Sequence, residues 1–175
     1  MDIVTNKPVP RRYEEKISQI SKSEEILFVV VGDLNLKAKY AESALVFTKS
    51  GITAFDECHN NEVYELKYDD IEEAAVKRLY GNALFRVKLK SGTKRNLLRF
   101  SYAAAEVADA AAVFVNNVNE NGFFEEELET VKSVYLKQRS FCPKCGRKLS
   151  APGAECINCS GKSKIAAKFS KYVAP

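Results

Sequence analysis

Five cysteines occur in this chain, and four of them fall in one short stretch, Phe141 to Gly161, as two Cys-x-x-Cys pairs with ten residues between them. Each pair can form a tight turn that aims two sulfurs at one point. Two such turns brought together by a short hairpin place four thiolates at the corners of a tetrahedron, the coordination Zn(II) takes in structural sites. Cys142, Cys145, Cys156 and Cys159 are therefore the expected ligands of a structural Zn2+. Pro143 after the first ligand and Gly146 after the second favour the turn and let backbone amides face the sulfurs. Iron takes the same four-thiolate set and stays open as an alternative; the short spacing favours zinc. A closed site of this kind leaves no position for a substrate, so its expected role is folding and not catalysis.

Two other uses of paired cysteines fit less well. A redox dithiol carries one such pair opening a helix in a βαβ setting, and nothing of that kind surrounds Cys142. A nucleic-acid finger interleaves aromatic residues with bases, whereas here only Phe141 precedes the stretch and Lys144, Arg147 and Lys148 are its internal bases; nucleic-acid binding stays open but unsupported. The stretch resembles the short zinc ribbons of the rubredoxin-knuckle kind found in bacterial and archaeal multidomain proteins, with all four ligand positions matched.

The rest of the chain offers little that reads as catalytic. Cys58 and His59 are adjacent in a predicted hairpin turn, where their side chains point apart, and no third residue is identifiable to orient them. The acids of "YDDIEEA", Tyr68 to Ala74, read as a solvated turn between strands, and no Gly-x4-Gly-Lys-Ser/Thr phosphate loop occurs. An enzymatic role is not expected of these residues.

The elements that must carry the cysteines are legible from periodicity. From Ile26 to Phe100 short apolar runs are closed by turn residues about every ten positions, which predicts an antiparallel β domain. Seven strands are expected: "ILFVVVG", "ALVFTK", "ITAFDE", "VYELKY", "EAAVKRLY", "ALFRVKLK" and "KRNLLRFS". In the sixth, Phe85, Val87 and Leu89 alternate with Arg86, Lys88 and Lys90, so one face is core and the other wet. A helix follows, with Ser101 as N-cap, Asn121-Gly122 as stop, and an apolar stripe of Val107, Ala111, Phe114, Val115 and Val118. A connecting helix is expected over Phe123 to Gln138, with Leu128, Val131, Val134 and Tyr135 at helical spacing and acids before bases, the order that suits the helix dipole.

Seven antiparallel strands and one C-terminal helix over residues 25–122 resemble the pleckstrin-homology-like domains, GRAM and bacterial variants included. The phrase "ALVFTKSGITAFDE", Ala44 to Glu57, is similar to the second and third strands of the bacterial versions. The resemblance implies a mainly β seven-strand barrel capped by a C-terminal helix. Inositide-binding members carry a Lys and an Arg-x-Arg around the first loop; this chain offers Lys37 and Lys39 but no Arg pair, so inositide recognition is not expected. The outward bases Arg86, Lys88, Lys90, Lys94 and Arg95 fit either an anion-binding patch or a plain solvated face.

The net charge of +4 hides an asymmetry: from Lys137 onward nine bases face one acid, while the preceding residues carry eighteen bases and twenty-two acids. The last segment, residues 162–175, sets Ile165, Phe169, Tyr172 and Val173 on one side of a predicted helix and Lys164, Lys168 and Lys171 around the others. Such basic amphipathic helices lie on anionic membrane surfaces, flank the cytosolic end of a spanning helix, or pack back on their own protein. The longest apolar run, Ile26 to Val31, is far short of the roughly 20 residues that span a bilayer. No secretory signal opens the chain, so a cytoplasmic setting is expected, at the membrane face if the basic helix docks there.

The order of parts is then a tail with a short helix (1–24), the β domain (25–122), the connecting helix (123–140), the ribbon (141–161) and the basic helix (162–175). This arrangement, with "CPKCGRKL" and the closing "FSKYVAP", resembles the cytosolic N-terminal extension of certain bacterial ATP-binding cassette exporters. The resemblance implies a non-catalytic regulatory or assembly module of a membrane transporter, partnered by the transporter's own domains, with the chain continuing past Pro175. The alternative is a free-standing adaptor binding protein, anionic lipid or nucleic acid through the β domain or the ribbon.

Overall fold

The computed structural model describes residues 3–123, 125–138, 141–142, 145 and 147–160. Strands β1 (Ile26–Leu34), β2 (Tyr40–Thr48), β3 (Gly51–Phe55), β4 (Val63–Lys67), β5 (Ile71–Leu79), β6 (Asn82–Leu89) and β7 (Lys94–Phe100) form one antiparallel sheet in the order β4-β3-β2-β1-β7-β6-β5. Its tight hairpins use glycine where the chain must turn left-handed: Gly81 has φ of 73° and Gly92 of 84°.

All seven expected strands are present, but the expected barrel is not closed, because the end strands β4 and β5 do not pair. Two features keep it open. At the centre, β1 and β7 share one residue pair, Leu34 with Arg99, so the two halves of the sheet splay apart there. Gly32 sits in this crossing, where a Cβ would stand 2.6 Å from both the Arg99 carbonyl oxygen and Ser43 Oγ. At the far end, the edge of β5 is filled by a helix. Asn116 accepts from Ala74 N–H (2.7 Å) and donates to Ala74 O (2.9 Å), and Asn119 donates to Ile71 O (3.2 Å). At Ile71 and Ala74 the backbone groups another strand would need are already taken.

That helix is α2 (Ala105–Asn121), and all five residues of its expected apolar stripe are buried. Its start differs from expectation. Ser101 does not cap it; a 3-10 turn at Tyr102–Ala104 intervenes. The Ser101 hydroxyl is taken instead by Asp33, which accepts from both its Oγ (2.6 Å) and its N–H (2.8 Å).

Two cores result. Inside the curved sheet, Phe28, Phe47, Phe85, Phe100 and Phe114 are buried together with the apolar stripe of α2. Helix α3 (Glu125–Gln138) joins them through Leu128, Val131 and Tyr135, with the Tyr135 ring 5.8 Å from that of Phe28. The helix expected as a connector is thus also a wall of the main core. On the outer side, α1 (Arg11–Ser23) lays Tyr13 and Ile17 over Val29, Val31, Ala44, Val46 and Phe55. Strand β1 is therefore dry on both faces, which is why "ILFVVV" reads as a continuous run and not an alternating one. In β6 the expected alternation holds, with Phe85 and Val87 buried and Arg86 and Lys88 half-exposed.

Where β7 leaves β1 unpaired, the N-terminal segment takes its place. Val29 N–H donates to Val4 O (2.8 Å), and the Asn6 side chain accepts from Val31 N–H (2.8 Å) and donates to Val31 O (3.0 Å). One amide side chain supplies the pair of bonds a neighbouring strand would have made.

Candidate metal centre

The first cysteine turn is held by a two-residue bridge. Phe141 pairs antiparallel with Lys148, and Cys142 N–H donates to Arg147 O at 2.8 Å, folding the chain back so that Cys142 and Cys145 lie on one side. In the second turn, the Cys156 carbonyl accepts from Cys159 N–H (3.1 Å) and Ser160 N–H (2.9 Å). Phe141, Cys142 and Leu149 are buried and form what little core the ribbon has. A small module of this size has too little apolar area to hold itself together, which is the usual reason for a metal. The expected contributions of Pro143 and Gly146, and the basic helix expected over residues 162–175, lie outside the described residues.

All four expected ligands come together. Cys142 Sγ lies 3.7 Å from Cys159 Sγ and Cys145 Sγ 3.6 Å from Cys156 Sγ, and the four sulfurs lie within 4.8 Å of one another. Four thiolates about 2.3 Å from a central zinc would stand about 3.8 Å apart. The sulfurs are thus spaced to hold a tetrahedral ion, with the two turns brought into contact through Cys142–Cys159 and Cys145–Cys156. Among the described residues this is the one cluster of three or more metal-ligating side chains.

The thiols also repel ionisation in one another. Hydrogen bonding with Cys145, then with Cys142, pushes the Cys159 thiol up to about 12. A dication at the centre reverses this balance, since it stabilises thiolates that otherwise crowd. When bound, the ion would supply cross-linking of two turns separated in sequence and no open coordination position.

Two residues the spacing argument did not single out bind the turns to each other. With the Asn158 amide oriented so that its oxygen faces Arg147, that oxygen accepts from Arg147 Nη1 (2.6 Å) and Nε (2.9 Å). A bidentate contact of this kind ties the strand after Cys145 to the turn between Cys156 and Cys159. Nothing in the cysteine pattern signals it; an arginine two residues after one ligand and an asparagine just before another is a weak cue.

The other candidates are dispersed. Cys58 is held at a turn by the buried Asp56, and burial, then Asp56, push its thiol up, the reverse of nucleophile activation. His59 stacks on Tyr64 with ring centroids 5.6 Å apart. Of the acids at Tyr68 to Ala74, Glu72 pairs with Lys88 across the sheet. The loop carrying Lys37 and Lys39 is clamped from beneath. Asn35 Oδ1 accepts from both their N–H groups (3.0 and 2.9 Å), and Asp56 Oδ2 accepts from Leu36 N–H (3.0 Å). Asn35 and Asp56 are 2% and 0% exposed, so this loop is built for rigidity and leaves both lysine side chains in solvent.

The ribbon meets the body of the protein at two places. Gly153, with φ of 74°, lies against the last turn of α3. Phe141 and Cys142 line a cleft shared with Ile3, Thr5 and Val31 of the N-terminal segment and β1. No helix among the described residues is long and apolar enough to cross a membrane. In comparisons by sequence, no protein-family model and no curated protein matches the chain.

Proposed function

We propose that this chain is a non-catalytic cytosolic regulatory or assembly module of a membrane transporter of the ATP-binding cassette exporter type, built on a pleckstrin-homology-like β domain and held by a structural zinc in the ribbon. The single observation that carries the reading is the convergence of Cys142, Cys145, Cys156 and Cys159 on a docked ribbon. A metal clip seated against α3 and the N-terminal segment gives the chain a stiff exit from the β domain. The sequence after it, with Lys164, Lys168 and Lys171, has the character of a segment that meets an anionic membrane surface. The strand order with a helix packed against the sheet supports the pleckstrin-homology-like kinship.

The zinc part is tested by elemental analysis and native mass spectrometry of freshly purified protein: one zinc per chain is expected, lost in Cys142→Ser. Far-UV dichroism of that variant should keep the β signal, because the main core contains none of the four sulfurs. The transporter part is tested on the natural gene product. A reading frame that runs on into about 20 apolar residues and later a phosphate loop is the expected result. A stop codon directly after Pro175 sinks it and favours the free-standing adaptor.

A further inference from the structure

The outer surface of the sheet is treated unequally. Over β1 to β3 it is covered by α1, but among the described residues the outer face of β5, β6 and β7 carries no helix. The strand register shows what that uncovered face displays. Residues directly opposite in an antiparallel pair share a face, and three rows run across the strands on the side away from the core: Glu73–Lys88–Lys94, Ala75–Arg86–Asn96 and Lys77–Leu84–Arg99, of which Leu84 alone is buried beneath its neighbours. The inward rows between them hold core residues such as Val76, Phe85 and Leu98.

Five of the nine outward residues are thus bases and one is an acid. This is segregation and not an average, since the residues before Lys137 carry more acids than bases. Three of the five have partners nearby: Lys88 pairs with Glu72, Arg86 donates to Asn96, and Arg99 donates to Asn82. Lys77 and Lys94 make no ion pair among the described residues, so their charges are available. At the rim, in the turn between β5 and β6, the side chain of Tyr80 is fully exposed, and Tyr102 beside it is half-exposed, its hydroxyl donating to Leu79 O.

We propose that the uncovered face of β5–β7 is a docking surface for an anionic phospholipid membrane. With strands about 4.8 Å apart and outward residues about 6.8 Å apart along each, the bases spread over roughly 10 by 14 Å of sheet. A plane of anionic headgroups matches such a spread. The nine outward residues include no aromatic platform for single-stranded bases, and the shallow hollow beside Arg86 is lined by Lys77, Lys88 and Lys94 with Ala75 and Glu73. Tyr80 at the border is the residue type that sits at a membrane–water interface, with an apolar ring and a polar tip. The proposal stands whether or not a transporter follows this chain.

The test is co-sedimentation of the whole 175-residue chain with phosphatidylcholine vesicles, with and without about a third phosphatidylglycerol, at low and physiological salt. Each surface base contributes about fivefold to the partition coefficient. A Lys77→Gln/Lys94→Gln variant should therefore bind the anionic vesicles about 25-fold more weakly, with unchanged dichroism, and the wild-type binding should weaken with salt. A second variant, Lys164→Gln/Lys168→Gln/Lys171→Gln, should retain binding that is still lost on adding the two sheet substitutions. Wild-type-like binding by the sheet variant overturns the proposal, as does equal binding to neutral vesicles. So does loss of affinity, by the same variant, for a DNA oligonucleotide or an acidic peptide while vesicle binding is unchanged. None of these outcomes bears on the zinc stoichiometry, so failure here is distinct from failure of the metal clip.

Discussion

Gly153 of the ribbon lies so close to the last turn of α3 that a Cβ placed on it would stand 2.7 Å from the carbonyl oxygen of Leu136. The neighbour is backbone within a helix whose other face is buried in the main core through Val131 and Tyr135. It cannot move aside as a flexible side chain would.

Gly153→Ala meets both this contact and a left-handed φ of 74°. The expected cost is about 2 kcal/mol to the docked state. Zinc content should be unchanged, because Gly153 supplies no ligand. Hydrogen exchange of the amides near Leu136 is the readout: they should exchange faster in the variant, and equal protection in both proteins would mean the ribbon does not brace the helix.

Asp33 joins β1 to the entrance of α2 through Ser101, with Lys7 at 3.3 Å. Burial alone would raise its pKa, but the Ser101 hydroxyl and N–H, and then Lys7, outweigh it and leave the carboxyl below its usual range. A depressed folded-state pKa gives stability that is complete above the ordinary aspartate value of about 4 and is lost as the pH falls through the folded value. Asp33→Ala should cost about 2 kcal/mol at neutral pH. In urea titrations the gap between variant and wild type should close on acidification; a gap independent of pH would assign the loss to packing.

Tyr135 is 2% exposed, and its hydroxyl finds no hydrogen-bond partner among the described residues. Burial holds that hydroxyl well above its usual pKa, so it stays neutral. Removing an unpaired buried hydroxyl relieves a desolvation cost, and Tyr135→Phe should leave stability unchanged or raise it by up to about 1 kcal/mol. Tyr135→Ala, which empties the site beside Phe28, should cost about 3 to 5 kcal/mol. Thermal melts compare the two; a clear drop for the Phe variant would mean the hydroxyl is satisfied after all.

Asn116 fills the edge of β5 with two hydrogen bonds to Ala74. Asn116→Ala should cost about 2 kcal/mol, the worth of two modest bonds. It should also leave an open strand edge that favours pairing between copies. Sedimentation velocity at rising concentration is the check: a variant that is destabilised yet as monomeric as the wild type would show the edge stays covered by the rest of α2.

The sequence by itself determined the seven strands, the apolar stripe of α2 and the identity of the four clustered sulfurs. These rest on local rules: a period of two for strands, a helical period for α2, and ligand spacing for Cys142, Cys145, Cys156 and Cys159. Only the tertiary structure decided the rest, because it depends on which residues meet across long separations. Ser101 looked like the cap of α2, but a 3-10 turn separates it from the helix and its hydroxyl donates to Asp33, 68 positions away. The barrel looked closed until Asn116 and Asn119 occupied the edge where another strand would pair. Lys94 fitted either an anion-binding patch or a solvated face and Lys77 carried no signal of its own; only the register puts the two on one face. The ribbon looked like a separate clip; it is a braced one because Gly153, whose lack of a side chain no spacing rule explains, lets it lie against α3.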